Sequence, residues 1–447
     1  MSKTIYDYIS EGSFPCECGK THGSSLKELI VESGALKKIP ALIEKYGGHK
    51  VFLLADVNTH AAAGETVCQL LKEANIPYSS YVFPESHLEP DEYAVGAAVM
   101  HFDNSCDIIL GVGSGVINDT GKILANLTRK PYMIAATAPS MDGYASATSS
   151  MARSGLKISL NSCCPWVIIG DLDILCGAPL VMLQSGLGDM VAKYVSICEW
   201  RIANRLLGED FCPVIAQMVR DAVHKCVTNA QALVCREPEA VAAVMEGLVI
   251  TGIAMSYAGM SRPASGMEHY ISHIWDMRAL AVPGSVMDTH GIQCGVGTLM
   301  AMRAYEQIRQ LTPDKDKALA YAADFDLDSW NAQLTAHLAD GANAMIQNEQ
   351  KEGKYDKVKH AARLTTILEA WADILQIIDE EIPTYEFVEN ALKTVNAVTA
   401  PEQIGFRPEE IRNAFLMSKD IRDKYVGTRL LWDLGELETV ADKLFKV

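Results

Sequence analysis

DIILGVGSGVINDTGKILANL, residues 107–127, is the stretch that decides the fold. A β-rich apolar run, DIILGV (107–112), meets a Gly-Ser-Gly turn at 113–115, and a segment with helical spacing follows. A glycine-rich turn that opens a helix lets backbone N–H groups approach an anion, and the helix dipole adds to the attraction. Asn118 or Asp119 is expected to cap that helix. The spacing is not G-x-G-x-x-G, so the strand–turn–helix context is what makes the turn a candidate for a dinucleotide pyrophosphate.

The same alternation extends to both sides. Short apolar runs stand at VFLLAD (51–56), YMIAAT (132–137) and WVIIGD (166–171), with helix-length segments at 60–75 and 89–103. Strands buried on both faces read as continuous apolar runs, and helices must then cover both faces. The expectation is a mostly parallel, Rossmann-like α/β sheet domain over residues 1–171. Ligands of such sheets bind at the carboxyl ends of the strands. Asp56 closes one strand; its carboxylate suits either ribose hydroxyls or a helix cap. The stretch ATAPSMDGYASATSSM (136–151) follows another strand, is crowded with small hydroxyls, and has Asp142 as its only negative charge. It is a candidate ligand loop.

After Asp171 helical spacing takes over, at 179–207, 211–235, 238–259 and near 294–311, 359–377 and 384–397. This predicts a second, all-α domain over 172–447. Three of the chain's 11 histidines fall within 269–290. His269 and His273 are four apart and so share a helix face, and His290 follows nearby. Asp189 and Lys193, in GLGDMVAKY, are spaced alike. Two histidines and an aspartate would hold a divalent metal and leave positions open for water or substrate. Spacing does not choose between His269 and His273. A metal beside a nicotinamide polarises a carbonyl or acidifies a hydroxyl while hydride moves.

Composition narrows the alternatives. The 447 residues are 49% apolar and 21% charged, with a net charge of −17 from 39 basic and 56 acidic residues. Such a balance argues against a broad surface for nucleic acid or anionic lipid, though not against a small anionic ligand. The 12 cysteines are scattered, as reduced thiols of a cytoplasmic protein are. Cys16, Cys18 and His22, in FPCECGKTHG (14–23), are one ligand short of a structural zinc site. The N-terminus has no apolar signal core. VAAVMEGLVITGIAM (241–255) is interrupted by Glu246 and is expected to be a buried helix, not a membrane span.

GVGSGVINDTGK, TAPSMDGYAS, GLGDMVAKY, SGMEHYISH and THG stand here in the order of the motifs of the sn-glycerol-1-phosphate dehydrogenases. The chain resembles that family, a branch of the iron-containing alcohol dehydrogenase and dehydroquinate synthase superfamily. The resemblance spans about residues 50–300 and departs from the pattern at GVGSG, where three consecutive glycines are usual. It implies a dehydroquinate synthase-like fold and reversible reduction of dihydroxyacetone phosphate to sn-glycerol 1-phosphate. The cofactor would be NAD(H) or NADP(H); Asp56 favours NAD, since a carboxylate there repels a 2′-phosphate. The metal, Zn²⁺ or Ni²⁺, would be held by Asp189, His269 and His290. Substrate would meet Asp142, Asp189 and His273, with His273 and Asp142 the catalytic candidates. Cofactor contacts would come from Asp56, from Gly115, Val116, Ile117, Asn118 and Asp119, and from Thr137, Ala138, Pro139, Ser140 and Ser146. Lys193, Lys157, Arg153 and His273 are candidates for the substrate phosphate; Lys193 suits a structural ion pair equally well. Bacterial relatives of this kind are homodimers. Two alternatives are a dehydrogenase of another polyol, such as glycerol, and a non-catalytic nucleotide-binding relative.

Overall fold

The computed structural model describes residues 3–153 and 156–445. Among these the strands are, in chain order, β1 (Ser13–Pro15), β2 (Thr21–Gly23), β3 (Glu28–Glu32), β4 (Val51–Asp56), β5 (Tyr78–Phe83), β6 (Ile108–Gly113), β7 (Tyr132–Ala136), β8 (Thr148–Arg153), β9 (Leu156–Asn161) and β10 (Val167–Asp171). Six of them form one parallel sheet, in the order β3-β10-β7-β6-β4-β5. The pairs β1–β2 and β8–β9 are separate antiparallel hairpins.

The four apolar runs became the four central strands. Every residue of β6, β7 and β10 is buried, so an alternating pattern there would have left polar side chains without water. The edge strands β3 (ELIVE) and β5 (YSSYVF) are only partly covered and carry polar residues. Leu53, Leu110, Met133 and Ile169 pack with Leu36, Leu42, Val67 and Leu71 in one buried cluster. Each such side chain contributes roughly 1.5–3 kcal/mol relative to exposure.

The order of the sheet matters for function. From β4 the chain moves outward to β5, then returns to place β6 on the other side of β4. The carboxyl ends of β4 and β6 therefore flank the point where the winding reverses, the place at which doubly wound sheets bind ligands. Asp56 and Gly113 are the last residues of those two strands.

The chain forms two compact units: Met1–Met190 with Gln217–Met260, and Val191–Ala216 with Ser261–Val447. The first holds the sheet and the helix Pro238–Ala258. That helix is apolar and long enough to span a membrane by composition alone, with a mean hydropathy of 1.6, but 72% of the window is buried inside the fold. Glu246, which interrupts it, accepts from Tyr6 Oη at 2.9 Å and pairs with Lys225 at 3.0 Å. The described residues of the second unit form helices and loops, among them Met267–Ala281 and His290–Ile308. The segment 211–235 forms two helices, not one, Pro213–Thr228 and Ala230–Val234. Asn229, between them, turns its side-chain amide back onto Lys225 O at 2.7 Å and so competes with the helical ladder.

Candidate active site

The helix Gly115–Thr128 starts where β6 ends. Its cap is Ser114, whose Oγ accepts from the Gly115 N–H at 2.6 Å. Asn118 and Asp119, the capping residues expected from the sequence, lie inside the helix, because it begins directly at the second glycine of the turn. Asn118 is the first residue whose N–H reaches an intrahelical carbonyl, that of Ser114 at 2.9 Å. The N–H groups of Val116 and Ile117 thus belong to the unsatisfied helix end. A Cβ on Gly113 would come within 2.6 Å of Ile117, and one on Gly115 within 3.3 Å of Met141. A helix N-terminus at the switch point, bared by two glycines, fits a dinucleotide pyrophosphate.

Behind this turn, buried bonds fix the loop 137–147. Thr137 N–H donates to Gly113 O at 3.1 Å, and Tyr144 Oη donates to Ala138 O at 2.7 Å. Ser185 Oγ donates to Ser140 O at 2.8 Å. Asp142 N–H donates to Asp189 Oδ2 at 2.9 Å, so the two aspartates expected at the substrate are joined in the first unit. Asp189 is fully buried and Asp142 nearly so.

Other expected cofactor residues use their side chains internally. Asn118 Nδ2 donates to Gly143 O at 3.1 Å, and Asp119 pairs with the buried Lys122 at 2.9 Å. Ser146 Oγ donates to Thr148 O at 2.8 Å. Asp56 Oδ1 caps the turn after β4, accepting from Asn58 N–H at 2.8 Å and Thr59 N–H at 2.9 Å. Of the phosphate candidates, Arg153 and Lys157 lie on the β8–β9 hairpin, whereas Lys193 is buried and donates to Ala264 O at 3.1 Å in the second unit.

Gly186 is a residue that sequence reasoning passed over. A Cβ there would lie 2.0 Å from Pro139 O and 2.9 Å from Val244. Gly186→Ala should push the 137–140 segment away and destabilise the first unit by about 1–3 kcal/mol, the usual effect of overpacking. Thermal denaturation together with NADH titration checks this; unchanged melting and unchanged NADH affinity would contradict it.

In the second unit three histidines converge. The rings of His269 and His290 are 5.1 Å apart, those of His273 and His290 5.9 Å, the latter nearly parallel at 15°. The helices that carry them approach closely: a Cβ on Gly297 would meet Glu268 O at 2.6 Å. His269 Nδ1 lies 2.9 Å from Glu268 Oε1. A carboxylate only accepts, so Nδ1 holds the proton and Nε2 keeps a lone pair for a metal. Glu268 also accepts from Gly266 N–H at 2.6 Å and is wholly buried. Close by, burial and the Glu268 charge push the Glu199 carboxyl up to about 8. Ser272 Oγ lies 3.4 Å from His290 Nδ1 and 2.8 Å from the Gln293 side-chain amide.

Cys294, one turn after His290, has Sγ 3.5 Å from His290 Nε2. His269, His290 and Cys294 each offer a donor atom within 4.8 Å of the others. Burial opposes ionisation of the Cys294 thiol, yet its interactions with His269 and His290 bring it below its ordinary value. Two imidazoles and a thiol are donors suited to zinc or nickel. The i,i+4 spacing of His290 and Cys294 was the signal for this thiol, and Glu268 stood beside His269 without being singled out.

The sheet and the helical unit have the fold of iron-containing alcohol dehydrogenases, and residues 30–179 match the family model of that description. Maleylacetate reductase from Rhizobium sp. strain MTP-10005 has the same fold, with a TM-score of 0.61 over 95% of this chain and 97% of that one at 13% identity. Glycerol-1-phosphate dehydrogenase [NAD(P)+] from Halalkalibacterium halodurans is 34% identical over 295 residues, 65% of this chain and 74% of the relative. The protein of that name from Geobacillus thermodenitrificans is 26% identical over 411 residues, 91% and 92% of the two chains. The chain belongs to the glycerol-1-phosphate dehydrogenase family.

Proposed function

We propose that this chain reduces dihydroxyacetone phosphate to sn-glycerol 1-phosphate, reversibly, with NADH or NADPH. The carrying observation is the His269–His290 pair, with the His269 tautomer set by Glu268, in a chain whose relatives bear that enzyme's name. In the reaction the ketone carbon gains a hydride and its oxygen a proton. When bound, the nicotinamide supplies the hydride and a divalent metal supplies the Lewis acidity that favours charge on the substrate oxygen. The proposed metal ligands are Asp189, His269 and His290, with Zn²⁺ or Ni²⁺ as the ion.

The protein's own groups do the positioning. Glu268 holds His269 in the tautomer that keeps the Nε2 lone pair for ligation. The Gly113–Gly115 turn and the first turn of the following helix receive the pyrophosphate, and Asp56 favours NADH over NADPH. Asp142 and His273 are proposed to face the substrate, with His273 as the group that passes the proton. Asp189 holds the backbone of Asp142 and so couples the substrate loop to the ligand set.

The test is NADH oxidation by chelator-stripped protein with dihydroxyacetone phosphate, after adding back Zn²⁺, Ni²⁺ or Mg²⁺. Zn²⁺ or Ni²⁺ should restore activity, the product should be sn-glycerol 1-phosphate, and glycerol should not be oxidised. A metal-loaded protein that binds NADH but leaves dihydroxyacetone phosphate unreduced overturns the proposal.

A further inference from the structure

The first unit carries a second group of metal-ligating side chains, in the N-terminal hairpin. Cys16 and Cys18 stand in the turn between β1 and β2, and His22 lies on β2, opposite Phe14. The turn is tightly made: Cys16 N–H donates to Lys20 O at 2.8 Å, and Gly19 N–H donates to Cys16 O at 3.0 Å. Gly19 takes φ +84°, a conformation that side chains disfavour. The result brings the two Sγ atoms and a His22 ring nitrogen within 4.8 Å of one another, with Cys18 Sγ 3.2 Å from His22 Nε2.

The orientation of His22 adds an independent observation. His22 is 2% exposed, and its ring stacks on that of Tyr257 with centroids 5.9 Å apart. Its Nδ1 lies 2.8 Å from the Tyr257 carbonyl oxygen. A carbonyl only accepts, so Nδ1 carries the proton and Nε2 presents its lone pair to the thiols. Metal-ligating histidines are held in this way, with the far nitrogen donating to a backbone carbonyl. A simple S–H···N bond needs one thiol. A turn that presents two thiols to one imidazole suits an ion.

We propose that Cys16, Cys18 and His22 bind a zinc ion whose role is structural: it clasps the hairpin to the helix Pro238–Ala258 through Tyr257. Binding replaces the two thiol protons, which are released to solvent, with bonds to the metal. Structural zinc is tetrahedral, so the ion takes a fourth donor, either a further thiol or a water molecule.

The experiment uses the full chain and does not read activity, so its outcome is independent of the proposed reaction. Zinc is counted by mass spectrometry in the wild type, in the double variant Cys16→Ser/Cys18→Ser and in His290→Ala. The double variant should carry one zinc fewer than the wild type, and should keep the metal that His290→Ala loses. In parallel, native wild-type protein is alkylated with and without chelator and its cysteines are mapped. Cys16 and Cys18 are half-buried and should be protected until chelator is added, whereas the exposed Cys235 should react in both cases. Cys294, beside His290, reports on the other metal group and is set aside; any further cysteine deprotected with Cys16 and Cys18 is the fourth ligand, and if there is none, the ligand is water. The mapping needs no substitution, so it decides the matter even if the double variant does not fold. Equal zinc in the wild type and the double variant, or alkylation of Cys16 and Cys18 indifferent to chelator, overturns the proposal.

Discussion

His290→Ala should lose the metal and lower turnover of dihydroxyacetone phosphate by about three orders of magnitude or more, with the fold intact. A Lewis acid supplies several kcal/mol of charge stabilisation, and each 1.36 kcal/mol is about tenfold in rate. The fold should survive because His290 is the first residue of its helix and is half-buried, with Ser272 Oγ at 3.4 Å and Cys294 Sγ at 3.5 Å from its ring. Alanine at a helix start costs little. Metal content, NADH oxidation and circular dichroism together check this. Wild-type turnover in the alanine variant would show the ligand assignment to be wrong. Retained metal with lost turnover would show that the remaining donors, Cys294 among them, hold an ion in an unproductive place.

The central strands were legible because burial on both faces demands unbroken apolar residues, as in IILGVG and VIIGD. The edge strands β3 and β5 were not, since YSSYVF is half-covered and carries two serines and two tyrosines. Nor were the three-residue strands β1 and β2, which are too short for any period to show. Within the site, residue types in motifs were legible, but the direction of each side chain was not. Asn118 and Asp119 read as capping residues, yet the helix begins at Gly115 and their side chains bond to Gly143 and Lys122. Glu268 and His269 are neighbours in sequence, and neighbours on a helix do not ordinarily face each other, so their bond had no signature. Gly186 and Gly297 look like any helical glycine until the backbone opposite each is known.

Lys122→Ala should destabilise the first unit by about 3–5 kcal/mol, the usual effect of removing one partner of a buried ion pair. Lys122 is completely buried. Its ammonium lies 2.9 Å from Asp119 Oδ1 and donates to Gly143 O at 2.9 Å, Ser146 Oγ at 3.1 Å and Thr148 O at 2.6 Å. One cation thereby ties the helix of the glycine turn to the loop proposed to hold cofactor and substrate, and to the start of β8. Alanine leaves the Asp119 carboxylate without its charge partner, and Ser150 N–H, donating at 3.1 Å, replaces only part of it. The loop should then open ahead of the rest of the unit. Hydrogen exchange at residues 143–150 should speed up more than exchange in β6 and β7, and NADH should bind more weakly. The partner change separates lost charge balance from lost packing: Asp119→Asn/Lys122→Met keeps an apolar stem and removes the orphaned charge, so it should be more stable than Lys122→Ala alone. A Lys122→Ala protein within about 0.5 kcal/mol of wild type, with unchanged exchange at 143–150, would show that the loop is held by its other bonds and that the cation is dispensable.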